Sequence, residues 1–392
     1  METWKRTVYI SLVCVFCTAF GVSQLAPILP LYFHDLGVQT PEAMSLWSGL
    51  ATGATYIIVC LAAPFWGRVA DKKGRKITLI RSSFGMALCN VLIAFQTTPE
   101  GVVLIRLVQG LVSGFYSASI TLIASESPIE RTGWALGLLA SANLAGSLIG
   151  PLLGGYIADT VGIHNDFIIV GALMGLAGVL ATIFIHENYV PQPNPEKLSI
   201  RKLKEQIPEF NSIVALCVAS FIYAICIMSL QPVISVYIKG IVPSDTENLA
   251  FIAGAVFSAM GIAQLMSSSP LGKLVDKIGP RKVLVVSLIY VGILNIPQAY
   301  VSDVYQLAII RFLQGFGLGG MLPALNTYLS SKTPREFTGQ VFSYNQSSLF
   351  LGYFLGAIGG ASLMAWLGFT TLFWVSGGLF IISALWIGFK LK

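Results

Sequence analysis

The chain has 392 residues, of which 55% are hydrophobic and only 11% are charged, with a net charge of +6. A soluble domain carries about 25% charged residues, so this composition excludes an ordinary soluble enzyme and points to an all-α integral membrane protein. The positive balance does not indicate nucleic acid, because nearly all the basic residues sit in short gaps between apolar runs.

A membrane-crossing helix needs about 20 apolar residues. Twelve segments qualify: 8–32, 44–66, 77–96, 102–124, 133–158, 167–185, 212–238, 248–271, 283–301, 304–330, 338–363 and 369–389. Runs of this length satisfy their own backbone as helices, not as barrel strands. Lys5 and Arg6 resemble the start of a signal peptide, but the apolar run behind them continues to Tyr32 without a small-residue cleavage site, so it reads as the first span. The six cysteines all lie in apolar segments without metal-ligand spacing and read as small packing residues. The longest polar gap carries Pro191, Pro193 and Pro195, then Lys197, Arg201, Lys202 and Lys204. It divides the chain into a six-span half (1–186), a linker (187–211) and a second six-span half (212–392). If the N-terminus and every even-numbered gap face the cytoplasm, 21 of the 24 Lys and Arg residues fall inside, Lys239 falls outside, and Arg106 and Arg311 lie within spans. This asymmetry predicts a multi-pass plasma-membrane protein with both termini cytoplasmic.

The gap after the second span reads Gly67-Arg-Val-Ala-Asp71-Lys-Lys-Gly74-Arg75-Lys76. Gly67, Asp71 and Gly74 return as Gly272, Asp276 and Gly279 at an offset of 205 residues, and so do Pro27 (Pro232), Tyr32 (Tyr237), Gly49 (Gly254), Arg106 (Arg311), Gln109 (Gln314) and Gly110 (Gly315). In spans five and eleven the offset becomes 206, so that Gly146, Gly150 and Gly154 match Gly352, Gly356 and Gly360. Six spans followed by six of the same orientation form a parallel repeat, an arrangement of transporters that hold substrate near the midplane.

Gly67 to Lys76 resembles the signature loop of the major facilitator superfamily, G-x-x-x-D-[RK]-x-G-R-[RK]. Arg106-Leu-Val-Gln109-Gly110 is similar to its fourth-span motif. Gly146-x-x-x-Gly150-Pro151-x-x-Gly154-Gly155 resembles the fifth-span pattern of drug:proton antiporters, and Gly21 with Pro27 and Pro30 resembles the first-span motif of twelve-span members. The resemblance spans the chain and is similar to the multidrug efflux proteins of Gram-positive bacteria. It implies a major facilitator fold of twelve helices in two pseudo-symmetric halves, and a proton-coupled exporter of amphiphilic drugs that works by alternating access. Its expected partners are small amphiphilic drugs, protons and membrane lipids, without nucleic acid or cofactor, and the expected state is a monomer. The alternative within the same fold is a dedicated lipid or metabolite exporter.

Each motif also has a physical reading. In the signature loop, Gly67 would let helices approach and Asp71 would accept hydrogen bonds from a helix N-terminus. With Gly74, Arg75 and Asp276 they would form a latch that breaks when the inner side opens; topology alone is the other reading. Gly146, Gly150 and Gly154 share one helix face, which brings two backbones close, and Pro151 favours a bend. The resemblance implies a seam against the opposite half. Arg106 and Arg311 are charges inside spans, which are costly and mark function; snorkelling to the outer interface is the alternative. With Gln109, Gln314, Gln24, Gln231 and Asn345 they are expected to line the substrate cavity. No acidic residue falls in the middle of a span, so Asp35, at the outer end of span one beside His34, is the candidate proton carrier, or else a loop cap. A cavity with two arginines and no central carboxylate favours anionic, zwitterionic or neutral substrates over simple cations. No nucleophile and base pairing, metal cluster or nucleotide loop suggests an enzyme.

Overall fold

The computed structural model describes residues 3–187, 200–243 and 246–390. Among them it contains helices and turns, and no strand. The first span is split into α1 (Thr3–Ser23) and α2 (Leu25–Asp35). It is followed by α3 (Pro41–Lys73), α4 (Arg75–Ala94), α5 (Pro99–Val112), α6 (Phe115–Glu126), α7 (Ile129–Val161) and α8 (Ile163–Phe184). The short α9 (Ile200–Gln206) precedes α10 (Phe210–Leu230), α11 (Ile234–Ile241), α12 (Leu249–Ile278), α13 (Pro280–Asn295), α14 (Val304–Lys332) and α15 (Thr338–Lys390).

Eleven helical stretches among the described residues are long and apolar enough to cross a membrane. The last, α15, has 53 residues. At about 1.5 Å per residue it is more than twice the roughly 30 Å of a hydrocarbon core. It breaks at Gly368, where φ is 82° and ψ 172°, a backbone setting that a side chain resists. It therefore supplies two spans, and the total is twelve.

Prolines explain the breaks in spans one and seven. Pro27 offers no N–H to the Ser23 carbonyl and Pro232 none to Met228, and the helices stop at Ser23 and Leu230. The two interruptions are repeat-related, and so are their surroundings. Tyr32 Oη donates to the Ile93 carbonyl at 2.6 Å and its ring meets Phe167 at 5.1 Å. Tyr237 Oη donates to the Gln298 carbonyl at 2.8 Å and its ring meets Phe373 at 5.2 Å.

Span four breaks at Ser113 and Gly114, the latter at φ 116°. Arg81 caps the freed end, donating to the carbonyls of Leu111 and Ser113 at 3.0 Å each while its guanidinium lies 3.5 Å from the centre of the Trp66 ring. Arg81, a topogenic cation in the sequence, is thus a C-terminal helix cap.

The chain forms two compact units. One comprises residues 1–39, 54–194 and 245–255; the other comprises 40–53, 195–244 and 256–392. The core of the first runs through α1, α4, α6, α7 and α8, with Cys14, Leu79, Leu122, Leu139 and Met174 fully buried. That of the second runs through α9, α10, α13, α14 and α15, with Ala224, Val291, Met321 and Phe380 at its centre. Large apolar side chains such as Leu61, Trp366 and Phe389 are exposed on the outside, the surface that lipid covers.

Candidate functional site

The glycine ladder of α7 packs on α1. A Cβ at Gly146 or at Gly150 would lie 2.5 Å from the carbonyl oxygens of Phe16 and Phe20 respectively, and one at Gly154 would lie 2.7 Å from the Cβ of Gln24. The partner of these three glycines is therefore the first span and not the opposite half, whereas Pro151 of the same expected seam meets Gly254 of span eight, in the second six-span half. The ladder faces α1 because the three glycines share one side of α7, while Pro151, Leu152 and Gly155 turn elsewhere. These last residues meet the start of α12, a segment that belongs to the same unit: a Cβ on Gly254 would strike the Pro151 carbonyl, and one on Gly155 the Ala250 carbonyl. Asp159, one turn further along α7, accepts from the amides of Ala250 at 3.2 Å and Phe251 at 2.7 Å. A carboxylate there satisfies the orphan donors of a helix N-terminus and opposes its positive dipole end. The second unit repeats the ladder without the cap: Gly352 and Gly356 sit against the carbonyls of Phe221 and Ile225, and Gly360 against Ser229, all on α10.

Both span arginines are buried, Arg106 to 6% exposure and Arg311 to 3%. Burial this deep sets aside snorkelling to water, although the two differ in their partners. On α5, Arg106 Nη1 donates to Gln109 Oε1 at 2.6 Å, while Thr55 Oγ1 ties α3 to the Arg106 carbonyl at 3.0 Å. On α14, Arg311 reaches Met260 Sδ at 3.9 Å and the Phe257 ring at 5.8 Å, and its Nε has no partner. Among the described residues no carboxylate pairs with Arg311. An arginine cannot shed its proton, so a guanidinium in thioether and aromatic surroundings offers unused donors to a polar or anionic group. Gln314 is not free to join it: its Nε2 donates to Asn295 Oδ1 at 2.8 Å, and Gln298 Nε2 donates to its Oε1 at 3.2 Å.

The remaining expected cavity residues lie on separate elements. Asn345 is buried on α15 with its Oδ1 unpartnered, and Gln231 is half-buried at the break after α10. Beside α10, an apolar groove of about 460 Å³ is walled by Leu203, Phe210, Cys217, Phe221, Val341 and Tyr344. Gln24 is fully buried at the α1–α2 break, against Gly154.

Asp35 and His34 end α2, with side chains 49% and 37% exposed and 3.8 Å between Nδ1 and Oδ1. Asp35 is open to water. Among the described residues the fully buried carboxylate is Asp166, which the sequence places in a gap just before span six. Helix α8 begins at Ile163 and draws Asp166 into its first turn at 0% exposure. The only signal for it was an acidic residue abutting an apolar run.

The signature stretch is mostly helix: α3 continues to Lys73 and ends at Gly74, where φ is 91°. Its Arg- and Lys-rich segment forms helix readily, so the helix outlasts the apolar run. Gly67 does not mediate a close approach, because a Cβ there would meet nothing within 4 Å. The Asp71 side chain lies outside the described residues, and Asp276 is exposed. The anion at the following helix start is Glu187, assigned by sequence to the linker. Its Oε1 and Oε2 accept from the amides of Arg75 and Lys76 at 2.8 Å each, and Arg75 Nη1 stands 4.0 Å from Oε1.

Comparison with known proteins agrees with this architecture. The Major Facilitator Superfamily model matches residues 11–242 and 216–391. Multidrug resistance protein MdtG of Salmonella dublin is 37% identical over 98% of this chain and 95% of its own length. MdtG of Dickeya zeae is 38% identical over 99% and 96%. These relatives are Gram-negative proteins, which corrects the expected Gram-positive likeness; the motifs reflect packing and topology and carry no lineage. The crystal structure of the nucleoside transporter NupG superposes with a TM-score of 0.77 at 13% identity, covering all of both chains, and shares the fold. With the family model covering nearly every span of the repeat, the chain belongs to the major facilitator superfamily.

Proposed function

We propose that this protein exports amphiphilic drugs across the plasma membrane by alternating access, driven by inward proton flow. The observation that carries the reading is the likeness, along almost the whole chain, to relatives named multidrug resistance proteins. The two repeat halves, 1–186 and 212–392, alternate about the linker 187–211, with both termini cytoplasmic as the basic residues require. The Arg75–Glu187 clamp and the signature stretch, with Asp71, act at the inner side.

Arg311, with its unpartnered Nε, favours zwitterionic, anionic or neutral drugs over simple cations. Met260 and Phe257 beside it tolerate varied apolar shapes. The test uses proteoliposomes with an imposed pH gradient, following norfloxacin and ethidium with and without a protonophore. Gradient-dependent norfloxacin movement, abolished by the protonophore, is expected. Movement of neither compound would transfer the reading to a lipid or metabolite exporter.

A further inference from the structure

Asp166 lies in the first turn of α8 at 0% exposure, and neither carboxyl oxygen makes a formed hydrogen bond. The amide that faces it is Gln24, also at 0% exposure, and neither Gln24 Nε2 nor Oε1 has a formed bond. A buried carboxylate without partners is very costly as an anion. A buried polar pair left unsatisfied in both members calls for an explanation beyond packing.

The internal repeat shows that the fold does not need this pair. At the offset of 206 that relates Phe167 to Phe373 and Gly171 to Gly377, Asp166 corresponds to Leu372, which is 1% exposed. At the offset of 205, Gln24 corresponds to Ser229. The tyrosine and phenylalanine contacts around the two places are closely alike. The same scaffold is therefore built with leucine in one unit and a carboxyl group in the other.

Other ionisable groups near this end of the unit are engaged or exposed. On α8 itself, His164 has its Nδ1 2.7 Å from the Ala94 carbonyl. On α2, Tyr32 donates to Ile93, while His34 and Asp35 are open to water. On α7, Asp159 is held by the amides of Ala250 and Phe251. The outer half of α4 holds only Cys89 and the outer half of α1 only Cys14 and Cys17, while Lys5, Arg6 and Tyr9 lie at the other end of α1.

We propose that Asp166, set against Gln24 at the break between α1 and α2, carries the coupling proton; this rests on the proton-driven reading above. A side-chain amide suits such a partner because it serves both states. Its NH₂ donates to the carboxylate, and its carbonyl accepts from the carboxylic acid. In the outward-open state the carboxylate takes one proton from a hydronium ion of the outer medium, leaving water. In the inward-open state the carboxylic acid returns that proton to water on the cytoplasmic side. Rotation of the Gln24 amide accompanies each step and acts at the point where α1 ends, against Gly154 of α7.

Asp166→Asn keeps the shape of the neutral acid but cannot titrate. In proteoliposomes, norfloxacin uptake by this variant loses its dependence on the pH gradient, while norfloxacin exchange at equal pH persists. Asp166→Glu recovers gradient dependence in part. Gradient-driven uptake that survives Asp166→Asn overturns the proposal alone; a wild type indifferent to the gradient overturns the proton-driven reading and this proposal together. If Asp166→Asn loses exchange as well, wild-type protein is treated with dicyclohexylcarbodiimide, which attacks protonated carboxyls in apolar surroundings, and peptides are analysed by mass. Labelling of Asp166 that is strong in acid and lost in alkali supports the proposal. Labelling absent or independent of pH overturns it.

Discussion

Replacing Gly150 by alanine on α7 should destabilise the protein, and the same change at Gly137 on the same helix should not. The added Cβ at Gly150 would stand 2.5 Å from the Phe20 carbonyl oxygen, about 0.9 Å short of the 3.4 Å at which ordinary contact begins. The obstacle is main chain on a neighbouring helix, so α1 and α7 must separate. Overpacking of this kind costs about 1–3 kcal/mol, against a gain of roughly 0.5–1 kcal/mol from replacing glycine within a helix. The net loss is about 0–2.5 kcal/mol, centred near 1, whereas at Gly137, with nothing within 4 Å, only the gain remains. Cys14 and Cys17 of α1 are buried and report the event directly. Thermal unfolding is followed by their reaction with a thiol-reactive dye in detergent. The expected order of midpoints is Gly137→Ala, then wild type, then Gly150→Ala. A Gly150→Ala midpoint at or above wild type would refute the claim that the ladder is a backbone contact with α1.

Arg81→Met removes two bonds to helix-end carbonyls and the stack on Trp66, a loss of about 2–4 kcal/mol in unfolding experiments; Arg81→Lys should recover less than half, and full recovery would argue against the planar cap. Glu187→Gln keeps an acceptor for one of the Arg75 and Lys76 amides but not both. It should lower the maximal transport rate with little change in apparent norfloxacin affinity, and an effect confined to affinity would count against a clamp. Arg311→Met should reduce the preference for norfloxacin over ethidium in competition; an unchanged ratio would remove Arg311 from substrate selection. Asp159→Asn weakens the cap on α12 and should speed labelling of a cysteine introduced as Ala250→Cys, measured in sealed vesicles; identical labelling rates would refute the cap.

The twelve spans and the repeat were legible because each rests on a property of sequence alone: the length of an apolar run and a constant offset. The span arginines were legible for a similar reason, since a charge in an apolar run is visible without a partner. What a side chain touches was not visible. Gly67 looked like a packing glycine and faces open space, while Gly146, Gly150 and Gly154 found α1 and not the opposite half. Glu187 lay beyond the last apolar residue and was counted as linker, although its carboxylate holds the amides of Arg75 and Lys76, more than a hundred residues earlier. Asp166 was missed for a related reason. An apolar run marks where hydrophobic residues begin, and a helix begins earlier when its first turn is buried by its neighbours.

The repeat also offers a way to separate scaffold from function. Where both copies keep the same residue and contact, as Tyr32 and Tyr237 do, physical demands of the fold are sufficient to explain it. Where the geometry is kept and the chemistry differs, the fold cannot be the reason. Three such differences fall in these units. Arg106 binds Gln109, whereas Arg311 leaves its Nε unused and Gln314 turns to Asn295. Pro151 stands within α7 where α15 has Ala357, and Asp166 with Gln24 stands where Leu372 and Ser229 would suffice. The second unit thus keeps an unused donor, which the proposed function gives to substrate, and the first keeps a titratable group beside a helix break. A drug and a proton handled on different halves need not compete for one charge, so a zwitterion can be bound while the coupling proton is held elsewhere. That division predicts that Asp166→Asn and Arg311→Met act independently, so that each alters its own readout equally well in the presence of the other.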